Sequence, residues 1–218
     1  MANRFPIVQG EYFHVFNRGV DKRLIFSDPS DSCRFLESMV MFNCVEPTRG
    51  IYELSLTEER RFCTAHESEK LVKIVAYCLN PNHYHLILTS LVDRGISEFM
   101  KRLGGGYTLY FNEKYSRSGS LFQGKYKYVH IEDNVQLLHT SAYVNLNDRG
   151  HQIIGKEKRL ILSSWKEYCG LVKKEICSKE IITDQFSSKK GYAAFAESSL
   201  EDIIKRKNDR KTLYHEFF

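Results

Sequence analysis

The sequence is poor in several features that decide protein class. No apolar run in its 218 residues approaches the roughly 20 needed for a membrane-spanning helix. Met1-Ala2-Asn3-Arg4-Phe5-Pro6 has no apolar core of the kind a signal peptide carries, so a cytoplasmic location is expected. None of the six cysteines, Cys33, Cys44, Cys63, Cys78, Cys169 and Cys177, forms a Cys-x-x-Cys pair. That spacing argues against a cysteine-based zinc site. A chain of this length without a secretion signal has no need of a disulfide framework, so reduced and mostly buried thiols are expected. Gly104-Gly105-Gly106 is not followed by Gly-Lys-Ser/Thr and is therefore not a nucleotide-binding loop. There is no internal repeat and no low-complexity tract.

Hydrophobic residues make up 42% and charged residues 27%, an ordinary globular balance. The length suits one good core with an appendage. A net charge of +5 says little about partners, but its distribution says more. From Glu98 to His130 the cations are Lys101, Arg102, Lys114, Arg117, Lys125 and Lys127, and the only acids are Glu98 and Glu113. Tyrosines and phenylalanines are interleaved with them. Cations neutralise phosphates and rings stack on unpaired bases. A solvated basic helix face over an aromatic core face would have the same composition. Arg18, beside a strand end, is a further candidate for a basic surface.

The pattern of elements reads β-α-β-β-α-β-α. Glu11 to Asn17 is rich in β-formers. Asp28-Pro29 opens a helix continued by Phe35, Leu36, Met39, Val40 and Phe42-Asn43. Glu46 to Lys70 is polar and ambiguous. Leu71–Leu79 is a strand, joined through Asn80-Pro81-Asn82 to a second one in a β-hairpin. Ile96 to Tyr115 has helical periodicity, and the triple glycine within it predicts a bend or a close approach to a ligand. Lys125–Ile131 alternates as a fourth strand. Asp133-Asn134 caps a helix with the apolar stripe Val135, Leu138, Ala142 and Leu146. The first six elements follow the ferredoxin-like split βαβ order, giving an α+β sandwich of antiparallel sheet and helices. Residues 1–150 are read as the catalytic domain. Residues 151–218 form a small, mostly helical C-terminal extension that packs on that domain or binds DNA. Within it, Ser163-Ser164-Trp165 starts a small unit and Tyr192–Lys207 is helical.

The chemistry concentrates in Asn80-Pro81-Asn82-His83-Tyr84-His85-Leu86. In a strand, alternate side chains share a face, so His83 and His85 project together and two imidazoles there can hold one metal ion. Such a pair also occurs in cupin-type and carbonic-anhydrase-type sites. Tyr143 and Asn147, four apart, are expected on one helix face beside the apolar stripe. A tyrosine near a two-histidine metal site is a nucleophile in reach of a phosphate, and Asn147 can supply an oxygen ligand. Histidine with an amide oxygen suits Mg²⁺ or Mn²⁺.

These motifs resemble the single-tyrosine HUH transposases, and most closely their REP-associated tyrosine transposase branch. The likeness runs from about Tyr12 to Asn147. It rests on Tyr12-Phe13-His14-Val15-Phe16-Asn17-Arg18-Gly19, on Asn80 to Leu86, on Gly119 to Lys127, and on Ala142-Tyr143-Val144-Asn145-Leu146-Asn147. Ser163-Ser164-Trp165-Lys166-Glu167-Tyr168 is similar to a segment that often follows. The resemblance implies Tyr143 as nucleophile, His83 and His85 as metal ligands and Asn147 as a third. It also implies cleavage of single-stranded DNA near a hairpin, leaving a 5′-phosphotyrosine and a free 3′-hydroxyl, in DNA transposition in a bacterial cytoplasm or nucleoid. Two departures stand out. Asp148 occupies a position where the family often has proline, and Asn145 one where it often has histidine.

The reading is a metal-dependent, single-strand DNA endonuclease and strand transferase. Its DNA contacts are expected from Arg18, Lys101, Arg102, Arg117, Lys125 and Lys127. It is expected to act as a monomer or homodimer on a hairpin with unpaired flanks. A domesticated protein that binds hairpins without cutting is the alternative. A replication initiator or relaxase often carries a second nearby tyrosine or a helicase domain, and neither is evident here.

Overall fold

In the computed structural model, residues 5–46, 69–150 and 155–216 are described. Most of the polar stretch from Glu46 to Lys70, with Cys63, lies outside them. The elements follow the expected order. They are β1 (Tyr12–Arg18), α1 (Pro29–Met41), β2 (Val72–Asn80), β3 (His83–Ser90), α2 (Gly95–Lys114), β4 (Lys127–Ile131) and α3 (Asn134–Asn145). Then come α4 (Asn147–Gly150), β5 (Leu162–Ser163), α5 (Trp165–Tyr168), α6 (Glu180–Thr183) and α7 (Lys189–Glu216). The sheet order is β4-β1-β3-β2-β5 and every pairing is antiparallel. This is the split βαβ arrangement with one added edge strand from the C-terminal region.

Helices cover both faces, so the central strands are buried on both sides. One core lies under α1 and α2 and contains Phe13, Val15, Phe35, Tyr84, Leu86 and Tyr107. The other lies under α3 and the C-terminal helices and contains Cys78, Ile87, Val144, Tyr168, Tyr192 and Ala196. A register shift between Ile74 and Ala76 places Val75 and Ala76 together in that second core, as a bulge does by adding one residue to one strand. Residues beyond Gly150 thus share a hydrophobic core with the sheet.

Capping sets the helix starts. Asp28 accepts from the Ser30 amide, and Asp31 reaches back to the Ser27 and Asp28 amides, closing a capping box in front of Pro29. Asp133 does the same for α3 through the Gln136 amide. Several boundaries differ from expectation. α1 stops at Met41 because the Asn43 side chain pairs with both backbone groups of Val72, as a strand neighbour would. β4 begins at Lys127, since Gln123 and Val20 instead pair the preceding loop with the end of β1. α2 runs unbroken through the triple glycine. A Cβ at Gly104 or Gly105 would meet no atom within 4 Å, so these glycines are not required by packing.

The inward face of α3 also differs. Leu137, Ser141, Ala142, Val144 and Asn145 are buried, while Val135 is 64% exposed. Two polar residues take core positions because each is paired. Asn145 donates to the Tyr192 hydroxyl at 2.7 Å and accepts from Ser164 Oγ at 2.5 Å, and Ser141 meets Tyr192 at 3.1 Å. An apolar-stripe reading cannot see a buried polar group that the rest of the chain satisfies. Asn145 therefore ties α3 to α7 and to the segment entering α5.

Candidate catalytic and nucleic-acid site

Strand register builds the site. Phe16 lies opposite His85 and Arg18 opposite His83, while on the other side of β3 Cys78 faces His85 and Asn80 faces His83. Lys127 of β4 lies opposite Phe16. Residues directly opposite share a face. One end of the sheet therefore presents Arg18, His83, His85, Asn80 and Lys127 on the face that α3 covers. The turn Pro81-Asn82 is held from outside. The Pro81 carbonyl accepts from the Ile25 and Phe26 amides, and the Asn82 carbonyl accepts from the Gly19 amide. The same short loop holds Asp21 and Lys22 at positive φ, 53° and 60°. That costs backbone energy of order 1 kcal/mol each, tolerated because the surrounding bonds over-determine the turn.

His83 and His85 stand with ring centroids 5.2 Å apart and nearly perpendicular. The Tyr143 ring packs 5.5 Å from His85. Tyr143 and Asn147 are not on one continuous helix as expected, because α3 ends at Asn145 and Leu146 interrupts the run. The break does not separate them. Burial raises the Tyr143 phenol above its ordinary pKa, and the adjacent Asn147 amide opposes this by favouring the phenolate. Asn147 is 1% exposed. Its Oδ1 lies 3.3 Å from His83 Nε2 and accepts from Asn80 Nδ2 at 2.7 Å.

The tautomer of His83 follows from its partners. Nδ1 lies 2.6 Å from Asn82 Oδ1, an oxygen that can only accept, so the proton sits on Nδ1. Nε2 then carries the lone pair and accepts from Asn80 Nδ2 at 3.0 Å. Asn80, fully buried, thus bridges His83 and Asn147.

Whether these groups fit a divalent cation can be tested on the distances. Two neighbouring ligands of an octahedral ion with bonds of about 2.1 Å stand about 3 Å apart. His83 Nε2 and Asn147 Oδ1, 3.3 Å apart, meet that spacing, and since Nε2 has a single lone pair a cation there would replace the bond from Asn80 Nδ2. Among the described residues no group of three or more His, Cys, Asp or Glu comes together to hold a metal ion. The candidate ligands, His83, His85 and Asn147, thus include no carboxylate or thiolate.

A cleft of about 460 Å³ opens over this end of the sheet, lined by Arg18, Lys22, His83, His85, Lys127 and Tyr143 among others. Of the residues expected to bind DNA, Arg18 and Lys127 flank it. Arg18 is oriented by Gln123, whose Oε1 accepts from Nε at 2.8 Å. Lys101 and Lys125 line a separate groove of about 850 Å³ on the α2 face, together with Gly104, Thr108 and Tyr126. Asn17 borders both. Arg102 is placed otherwise. It pairs with Glu98 at 2.8 Å and donates to the Cys44 carbonyl at 2.7 Å, with only 17% of its side chain exposed, and so pins α2 to the end of α1. Arg117 packs over the Phe111 ring at the end of α2 and lines neither opening. Lys114, in the same basic run, is held by the buried Asp31 at 2.6 Å.

Two residues of the cluster escape motif reading. Asn80 looks like turn chemistry in sequence. Its place before Pro81-Asn82-His83 at the end of a strand was the available signal. His14 reads only as one residue of a strand, yet its Nε2 lies 2.9 Å from His85 Nδ1 and its ring stacks on His85 at 5.0 Å. Packing around the ring removes it from water and lowers its pKa to about 4, so it is neutral at pH 7.

Residues 51–147 match the family model described as "Transposase IS200 like", a range that takes in His83, His85, Tyr143 and Asn147. The resemblance drawn from the motifs and the family model agree. No curated protein matches the chain. A solved structure described as "Structure of the REP associates tyrosine transposase bound to a REP hairpin" is similar at 13% identity and a TM-score of 0.48, over 78% of this chain and 87% of that one.

Proposed function

We propose that this chain is a metal-dependent endonuclease and strand transferase acting on single-stranded DNA beside a hairpin. The observation that carries the reading is the meeting of Tyr143, His83 and His85 in one cleft flanked by Arg18 and Lys127, with Asn147 buried beside His83. Arg18 and Lys127 draw the phosphate backbone into the cleft. Tyr143 Oη attacks the scissile phosphorus and gives its proton to solvent in the open cleft, from which the leaving oxygen regains one. The Asn147 amide favours the phenolate as it forms, offsetting the effect of burial. The 3′-oxygen leaves as a hydroxyl after taking up a proton, and the 5′-phosphate remains on Tyr143. The bond energy is kept in the phosphotyrosine link, so a 3′-hydroxyl can later reverse the step at a new junction. His83 Nε2, His85 and Asn147 Oδ1 are the groups that would hold Mg²⁺ or Mn²⁺. A cation bound there supplies Lewis-acid stabilisation of the charge developing on the phosphate. The hairpin substrate, DNA transposition and a bacterial cytoplasmic setting are what the sequence resemblance implies. The proposed catalytic unit is residues 1–150, and described residues of the C-terminal extension, among them Tyr168, Tyr192 and Ala196, pack on it.

The test is a gel for covalent adducts on a hairpin oligonucleotide labelled at its 3′ end. The 3′ fragment retains the 5′-phosphate, so its label should migrate with the protein, require Mg²⁺ or Mn²⁺, and vanish in Tyr143→Phe. Tight binding with no adduct at any metal concentration would favour the rival reading, a domesticated hairpin-binding protein that does not cut.

A further inference from the structure

We propose that His14 is a positioning residue for His85, holding it in the tautomer whose Nε2 carries a lone pair. The inference rests on the proposed reading that His85 serves as a cation ligand, and it concerns a residue to which that reading gives no part. The relevant contact is between two imidazoles, His14 Nε2 and His85 Nδ1, 2.9 Å apart. One must donate and the other accept, and the direction decides what His85 can do. If His14 donates, His85 carries its proton on Nε2 and cannot ligate there. If His85 donates through Nδ1, His85 Nε2 keeps its lone pair.

The neighbouring histidine indicates which direction the site uses. His83 is locked as the Nδ1–H form by Asn82 Oδ1, which can only accept. Two ligands from one strand serve one ion only if both present a lone pair at the nitrogen away from their anchoring bond. His14 must then be the acceptor for His85, as Asn82 is for His83. A partner on the non-ligating nitrogen usually fixes both the tautomer and the ring plane of a metal-binding histidine.

The packing supports a positioning role. In the register His14 lies opposite Ile87, diagonal to His85, a distance that aromatic rings can bridge. The two rings stack within 23° of parallel. Phe16 packs on both, at 5.1 Å from His14 and 5.7 Å from His85, and Tyr143 packs edge-on to both, at 5.9 and 5.5 Å. Rotation of the His85 ring would disturb its contacts with the rings of His14, Phe16, His83 and Tyr143. His14 therefore links the ligand strand to the nucleophile-bearing helix through His85.

The test uses protein with ¹⁵N-labelled histidine, His14→Phe, which keeps a ring but cannot accept, and His14→Gln, whose amide oxygen can. Two-bond ¹H–¹⁵N spectra, assigned with His85→Gln, report the tautomer without any metal. Mn²⁺ titration, followed by broadening of the His83 and His85 signals, reports affinity. Far-UV circular dichroism confirms folding of each variant. Wild type should show His85 as Nδ1–H. His14→Phe should shift it toward Nε2–H and weaken Mn²⁺ binding roughly tenfold or more. His14→Gln should restore both. A wild-type His85 that is already Nε2–H, or a His14→Phe variant with unchanged tautomer and affinity, overturns the proposal. Failure of wild type to bind Mn²⁺ at all would instead sink the cation reading, and the tautomer comparison alone would then decide the His14 relation.

Discussion

Asn80 and Asn147, far apart in sequence, are joined by a hydrogen bond of 2.7 Å from Asn80 Nδ2 to Asn147 Oδ1. Asn80 ends a strand and Asn147 follows a helix break, so this bond fixes the distance between the sheet and the segment carrying Tyr143. The same Asn80 nitrogen reaches His83 Nε2 at 3.0 Å. One buried amide thus orients a candidate ligand and its helix-borne counterpart together.

Asn80→Ala is expected to lower stability by about 1–3 kcal/mol, because it leaves buried acceptors unpaired. Urea unfolding measures that loss. Cleavage should fall further than the unfolded fraction accounts for, since His83 and Asn147 lose their common brace. A variant of unchanged stability and activity would show the bridge to be incidental.

Tyr143→Phe removes only a hydroxyl from a half-buried ring that still packs on His85. Strand cleavage should disappear while hairpin affinity stays within about fivefold, since one hydroxyl contributes roughly 1 kcal/mol at most to binding here. The adduct gel and fluorescence anisotropy read the two effects separately. Wild-type cleavage by the variant, or an adduct mapped to Tyr107 or Tyr126, would remove Tyr143 as the nucleophile.

His83→Ala and His85→Ala should each abolish cleavage and weaken Mn²⁺ binding, and EDTA should reproduce both on the wild type. Because the candidate ligands include no carboxylate, Mn²⁺ should bind more tightly when single-stranded DNA is present than when it is absent. Calorimetric titration with and without an oligonucleotide checks this. Full cleavage in chelator would end the metal-dependent reading.

Charge reversal should divide the basic residues. Arg18→Glu and Lys127→Glu should each flatten the dependence of log K on log salt by about 0.7, the value for one lost single-strand phosphate contact. Lys101→Glu and Lys125→Glu test whether the α2 groove also follows DNA. Arg102→Ala should instead lower the urea midpoint and leave the salt slope unchanged, since its guanidinium pairs with Glu98 and the Cys44 carbonyl. Equal binding to hairpin, unstructured strand and duplex would count against the single-strand reading.

Acid should loosen the α1–α2 contact at Asp31. Burial pushes this carboxyl up, but hydrogen bonds from Lys114, Tyr115 and the Ser27 and Asp28 amides outweigh it and leave the pKa below the ordinary 3.8. A folded-state pKa below the unfolded one contributes stability above pH ~4, lost as pH falls through the folded value. Asp31→Asn should remove that pH dependence and also lower stability at pH 7. Leaving the hydrogen-bond donors around the buried Asp31 site with a weaker acceptor costs about 1–3 kcal/mol, with Lys114 30% exposed and so partly solvated. Thermal melts between pH 3 and 7 follow it. Identical acid profiles for wild type and variant would show that Asp31 is not the responsible group.

The sequence by itself determined the elements and the pairs that lie close along the chain. Alternation placed His83 and His85 on one face, Asp28-Pro29 and Asp133 marked helix starts, and the β-α-β-β-α-β order fixed the sheet type, because these are local signals with a period of their own. Tertiary structure decided everything that depends on partners. Sequence charge could not tell Arg18 and Lys127, which border the cleft, from Arg102, which pairs within the fold. Periodicity could not place Ser141 and Asn145 inside, because their burial depends on Tyr192 and Ser164 arriving from the C-terminal region. The bridge through Asn80 and the contact from His14 to His85 also lay beyond reading. Both depend on strand register and on how α3 sits across the sheet, and neither distance exists until the chain is folded.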